Sequence, residues 1–146
     1  MKYLFDTNIV LHFLKGSELA QSIENELLPF SSDNDAILSV VSIGELYSLA
    51  LRNKWGEKRL QILENMLQQF IITDINLEEV IRNYAYIDTF SQGKIEGESH
   101  GFTARNMGKN DLWIAATSLY LDTTLLTTDK DFLHLFSKIK VKEFAQ

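Results

Sequence analysis

Asp111-Leu112-Trp113-Ile114-Ala115-Ala116-Thr117-Ser118-Leu119-Tyr120-Leu121-Asp122-Thr123-Thr124-Leu125-Leu126-Thr127-Thr128-Asp129 carries two periods in succession. Leu112, Ala115, Ala116, Leu119 and Tyr120 recur at helical spacing, and Thr124 to Thr127 is then a short, mostly apolar run of the kind a strand buried on both faces makes. Outward from this segment the alternation repeats. Lys2 to Phe5, Ala36 to Val40 and Phe70 to Ile72 read as further buried strands. Ile139-Lys140-Val141-Lys142 reads as an edge strand whose lysines discourage further pairing. Between them, helical spacing runs through Ile43, Leu46, Tyr47, Ala50 and Leu51, through Leu60, Leu63 and Leu67, and through Leu77, Val80, Ile81, Tyr84 and Ile87. Strands separated by helices pair in parallel through right-handed crossovers. The expected architecture is therefore α/β, a three-layer sandwich around a central, mostly parallel sheet, in one domain over residues 1–146.

In such sheets chemistry lies beyond the carboxyl ends of the strands. Asp6 follows the first strand directly and Asp129 follows Thr124 to Thr127 after one further residue. Glu45 is expected in the first turn of its helix, and Asp111 opens the helix that leads into the fourth strand. Each acid also has a plainer role, because carboxylates favour helix N-termini as caps and as partners of the macrodipole. Ser42-Ile43-Gly44-Glu45 fits a capping box. Together the four mean more, since two carboxylates about 5 Å apart repel by about 3 kcal/mol at an effective dielectric near 20. A cluster of four calls for a positive occupant, and hard divalent cations prefer oxygen ligands. Asp6, Glu45, Asp111 and Asp129 are thus the candidate catalytic and metal-binding residues, for Mg2+ or Mn2+ and phosphodiester hydrolysis. Asn8, Thr127, Thr128 and Asp131 are expected to orient them by hydrogen bonds.

Composition narrows the alternatives. The 146 residues are 45% hydrophobic and contain no cysteine, which excludes disulfides, thiol catalysis and Cys-ligated metals. His12, His100 and His134 are too scattered for a zinc site. Asp6 breaks the first apolar run, no stretch is long enough for a membrane span, and a cytoplasmic location is expected. Dinucleotide-binding, P-loop and serine-hydrolase motifs are all missing. The net charge of -6 runs against a broad nucleic-acid footprint, unless the acids are gathered around a bound cation.

Four segments in order carry a resemblance: Tyr3-Leu4-Phe5-Asp6-Thr7-Asn8, Ser39-Val40-Val41-Ser42-Ile43-Gly44-Glu45-Leu46, Gly108-Lys109-Asn110-Asp111-Leu112-Trp113-Ile114-Ala115-Ala116, and Leu125-Leu126-Thr127-Thr128-Asp129-Lys130-Asp131-Phe132. In them the chain resembles the PIN-domain ribonucleases, and within these the VapC-like toxins of toxin-antitoxin pairs. The resemblance implies endonucleolytic cleavage of RNA with magnesium or manganese. Asp6 and Asp111 would be the leading metal ligands. It also implies a homodimer and a small antitoxin whose basic segment enters the acidic pocket. The segment from Ser91 to Lys109, with Gly93, Gly97, Gly101 and Gly108, departs from the usual pattern by its length.

Lys94, Arg105 and Lys109 in that long segment are candidates for RNA or antitoxin contact, because loops of such length in compact domains are usually functional. Arg52 and Lys54, with Lys58 and Arg59 around Trp55 and Gly56, form a second basic and aromatic mixture. The plainer reading of that mixture is a solvated turn with Trp55 packed inward. Two other functions stand beside the toxin: a binding module of the same fold whose acids only cap helices, and a nuclease of RNA processing.

Overall fold

Along β1 (Lys2–Phe5) the side chains alternate faces, so Tyr3 and Phe5 go to one side of the sheet and Leu4 to the other, and all three are buried. The computed structural model, which describes residues 1–146, shows what covers each side. Leu4 joins Ile37, Leu125, Phe132 and the inner faces of α5 (Glu78–Ser91) and α6 (Lys109–Leu121). Tyr3 and Phe5 join Ile9, Val10, Ile23, Leu46, Leu63 and Phe70, which come from α1 (Thr7–Lys15), α2 (Glu18–Leu27), α3 (Val40–Arg52), α4 (Glu57–Leu67) and the turn after it. At the centre of this second layer Phe5 packs edge-on to Phe70 at 4.9 Å and against Phe13 at 5.5 Å, distances at which aromatic pairs add to plain burial.

The remaining strands are β2 (Asp35–Ser39), β3 (Ile71–Thr73), β4 (Thr124–Thr127) and β5 (Lys140–Glu143). They lie in the order β3-β2-β1-β4-β5, and every neighbouring pair is parallel. The expected three-layer sandwich is therefore present. β5 is an edge strand as read from its lysines, which pair with Asp122 and Glu26. The chain builds outward from β1 to β3, then crosses back through α5 and α6 to place β4 on the other side of β1. This reversal makes the β1/β4 boundary the topological switch point, where the crevice for a ligand opens.

Local boundaries differ from the sequence reading in three ways. The helices α1 and α2, between β1 and β2, were not anticipated. Asp6 caps the first, Gly16 at φ 61° ends it, and Ser17 at once caps the second. Ser39 is both the last residue of β2 and the cap of α3, its hydroxyl accepting from the Val41 N–H. α3 therefore starts three residues earlier than a Ser42 cap requires. The capping box does not form, and Glu45 sits in the second turn rather than the first.

The long segment between α5 and α6 is fastened at several points. Ile95, Phe102 and Met107 pack on the layer around Leu4. Glu98 accepts hydrogen bonds from the Tyr86 hydroxyl and from Lys138 at 2.8 Å. Gly93, at φ 69°, leaves no room for a Cβ, because the His100 ring would stand 2.9 Å from it. His134, one of the three scattered histidines, is buried beneath Phe102 and shares a 2.8 Å hydrogen bond with Ser91. Burial and the nearby Arg105 hold its pKa below the usual imidazole value.

Candidate active site

Asp6 leaves the end of β1 with its backbone N–H bonded to Leu126 of β4, which anchors it at the switch point. Its carboxylate is buried and accepts from the Thr7 N–H at 2.8 Å and from the Thr127 hydroxyl at 2.7 Å. The capping role and the site role thus coexist in one side chain. Asp129 likewise caps the short 3-10 turn Lys130–Leu135 by accepting from the Asp131 N–H, while Thr127 Oγ1 accepts from the Asp129 N–H. Thr127 therefore holds Asp6 through its proton and Asp129 through its lone pair.

Glu45 reaches the same place from α3. Its carboxylate accepts from the Thr7 hydroxyl at 2.7 Å, and Ser42, fully buried, stands 2.9 Å from that hydroxyl. Thr7 is the residue that sequence reasoning missed. Its signal was available in Asp6-Thr7-Asn8, where a hydroxyl sits between two residues already singled out. Replacing Thr7 by valine keeps its shape and removes the donor, so Glu45 loses its one fixed partner. Hydrogen bonds to charged groups contribute about 1.5–3 kcal/mol, and loss of an orienting partner costs about 10- to 100-fold in activity or metal affinity. The activity of this site should fall within that range in Thr7→Val and be mostly kept in Thr7→Ser, and steady-state rates on one substrate check both.

Asp111, in the first turn of α6, completes the group. Asp6, Glu45, Asp111 and Asp129 all line one cleft of about 750 Å³, together with Asn8 and Arg52. One carboxylate oxygen from each of Asp111, Asp129 and Asp131 lies within 4.8 Å of the others. Asp131, expected only to orient the acids, thus brings its own oxygen to the cluster. Of the other orienting candidates, Asn8 is exposed and makes no hydrogen bond to an acid, and Thr128 has its hydroxyl buried without a partner. Lys109 does not line this cleft but borders an open recess that also touches Glu45 and Asp111. Lys94 and Arg105 border a separate recess with Gln92 and Asn106, and Lys54 lines neither. Trp55 packs inward under the Arg59 guanidinium, 4.1 Å above its ring.

The electrostatics of the cleft follow from burial and like charge. Asp111 is pushed up to about 7, first by removal from water and then by the fields of Asp6, Asp129, Glu45 and Asp131. Asp6 is raised as well, mainly by burial, although its bonds to Thr127 and Thr7 pull the other way. A cleft that raises the pKa of two carboxyl groups, that of Asp111 to about 7, favours positive charge. Its donors are all carboxylate oxygens, the set that hard divalent cations such as magnesium and manganese select. The residues present therefore fit a divalent ion.

The fold and this cleft define a class: a parallel α/β protein with an acidic metal-type site at the switch point of its sheet. Comparison with known proteins places it further. The profile of the PIN domain matches residues 3–136. Ribonuclease VapC1 of Haemophilus influenzae strain R2866 is 25% identical over 130 residues, which cover 87% of this chain and 86% of that protein. A crystal structure of VapBC2 from Rickettsia felis bound to a DNA fragment from their promoter shares the fold with a TM-score of 0.75 and 21% identity, over 99% of both chains. VapBC-5 from Mycobacterium tuberculosis, a member of the VapBC family of toxin-antitoxin systems, does so with a TM-score of 0.63 and 20% identity over 99% and 98% of the two chains. The chain belongs to the PIN-domain family. No helix in it is long and apolar enough to cross a membrane.

Proposed function

We propose that this protein is an endoribonuclease that uses magnesium or manganese and acts as the toxin of a toxin-antitoxin pair. The observation that carries the reading is the convergence of Asp6, Glu45, Asp111 and Asp129 on one cleft, with the Asp111 carboxyl pushed up to about 7. Kinship with a ribonuclease VapC over most of both chains supports the choice of RNA. Asp111 and Asp129, with Asp6 behind them and Asp131 beside them, would hold the ion. When bound, it supplies charge neutralisation at the phosphodiester and activation of water at neutral pH. Asp6 keeps one orientation because both its oxygens accept hydrogen bonds. Glu45, which accepts a hydrogen bond from Thr7, would take a proton from attacking water.

The likeness to members of VapBC toxin-antitoxin systems supports an antitoxin as partner, for which a small protein with a basic segment would suit the acidic cleft; a homodimer would be the working unit. Purified protein incubated with total cellular RNA should cut it at discrete sites in magnesium or manganese, and cutting should stop with chelator and in Asp6→Asn. Full-rate cutting by a folded Asp6→Asn protein would overturn the assignment. Expression of the chain should arrest growth, and a small basic protein encoded beside it should relieve the arrest.

A further inference from the structure

We propose that the end of the cleft lined by Trp113 and Arg52 is a subsite for single-stranded RNA, with Trp113 stacking one base and Arg52 holding a neighbouring phosphate. The proposal rests on the ribonuclease reading above and deepens it. A volume of about 750 Å³ is far more than a hydrated ion fills, and lies in the range of clefts that take organic ligands. Its lining is mixed. Besides the acids and other polar groups, Val40, Val41, Leu49, Ile75 and Trp113 supply apolar surface.

Trp113 is half-buried and packs on Tyr84 with ring centroids 4.3 Å apart, so its indole is fixed while its remaining surface lines the cleft. A rigid, partly open aromatic next to a phosphodiester-cutting site is a stacking platform for an unpaired base, whatever its identity. Arg52 lies on the same face of α3 as Glu45, seven residues on, which is about 10 Å along the helix axis. It is exposed, lines the cleft and has no ion-pair partner, despite the excess of acids in the chain. A free guanidinium there attracts an anion and repels a basic peptide, so the chemistry of this end selects a nucleic-acid phosphate over a basic antitoxin segment. Single-stranded RNA fits, because only unpaired bases expose faces for stacking.

The test uses a Trp55→Phe background, in which Trp113 is the one remaining tryptophan. A short single-stranded RNA, mixed rapidly with this protein in magnesium buffer so that binding is read before cleavage, should quench its emission. The logarithm of affinity should fall with that of salt, and Arg52→Gln should reduce the slope by about 0.7 to 1, the loss of one phosphate contact. Trp113→Leu should raise KM about 5- to 100-fold with a much smaller change in kcat, and Trp113→Phe should recover most of it. Folded Arg52→Gln and Trp113→Leu proteins that cut with unaltered KM and salt slope would overturn the subsite. So would quenching produced by a basic peptide and not by RNA, which would give this end to the antitoxin. Quenching without any cleavage would sink the hydrolytic reading and support the subsite, and neither quenching nor cleavage would sink both.

Discussion

Asp111→Asn is expected to lower RNA cleavage by at least about 10²–10³-fold, the scale of losing one preorganised charge-stabilising group, while making the metal-free protein more stable. The two effects share one cause. At pH 8 the Asp111 carboxylate is ionised although burial, first, and then Asp6, Asp129, Glu45 and Asp131 all raise its pKa. Asparagine keeps the shape and removes the charge, so a potential ligand is lost and so is the repulsion. The carboxyl is partly open to water and its interactions are screened, so the gain is of order 1 kcal/mol rather than the full shift. In a chain of this size that is about 2–4 °C in Tm. Thermal melts at pH 8 with chelator, beside cleavage rates in magnesium, check the pair. An Asn variant that melts lower than the parent and cuts RNA normally would show that Asp111 has a structural role only.

The second large effect concerns pH. Asp111 has a pKa of about 7 in the folded protein and an ordinary value of 3.8 when unfolded, so the folded state binds the extra proton between those values. A raised carboxyl pKa makes the metal-free protein lose stability as pH rises from about 4 to about 7, with the cost fully present above 7. Metal-free protein should therefore melt at a higher temperature at pH 5.5 than at pH 8. Saturating magnesium should reverse that order, because cation and proton compete for the same oxygens. By the same competition, affinity for the ion should fall about tenfold for each pH unit below 7. Melting curves across pH, with and without magnesium, read all of this. A metal-free Tm that rises from pH 5.5 to pH 8 would mean that burial and like charge do not raise the Asp111 carboxyl as described.

The layered architecture was legible because its inner strands β1, β2 and β4 are short, mostly buried runs and its later helices keep an apolar period, although β3, expected to be buried, is an edge strand with Ile71 and Ile72 exposed. The helices α1 and α2 were not, for reasons of local chemistry. α1 is only nine residues long and starts without a loop after β1, and its Ile9-Val10-Leu11 run reads equally as strand. α2 ends on Leu28 at φ 47°, a left-handed cap without the glycine that would announce it. Gly16-Ser17, a helix stop followed by a helix start, was the available signal. The shift at Glu45 has a similar origin, since no turn residue separates β2 from α3 and Ser39 serves both.

Of the acids, Asp6, Asp111 and Asp129 could be singled out because each follows a strand end or opens a helix, and Glu45 on a reading that places it one turn too early in α3. Thr127 is expected to orient them and does bond to Asp6 and Asp129, whereas the roles of other residues between them could not be read. Thr7 bonds to a side chain 38 positions away, and Asp131 joins Asp111 and Asp129 through the tight turn after β4. Arg52 and Trp113 reach the cleft from different helices. Pairings of this kind exist only once the sheet order is set.

The most direct test of the central claim, that the four acids make one divalent-cation site, is a calorimetric titration of Mn2+ into metal-free protein at pH 8, repeated with Asp111→Asn and Asp129→Asn. Saturable binding in the parent that is lost or weakened at least tenfold in both variants is the predicted result. Binding that the two replacements leave unchanged, or no saturable binding at all, would contradict it.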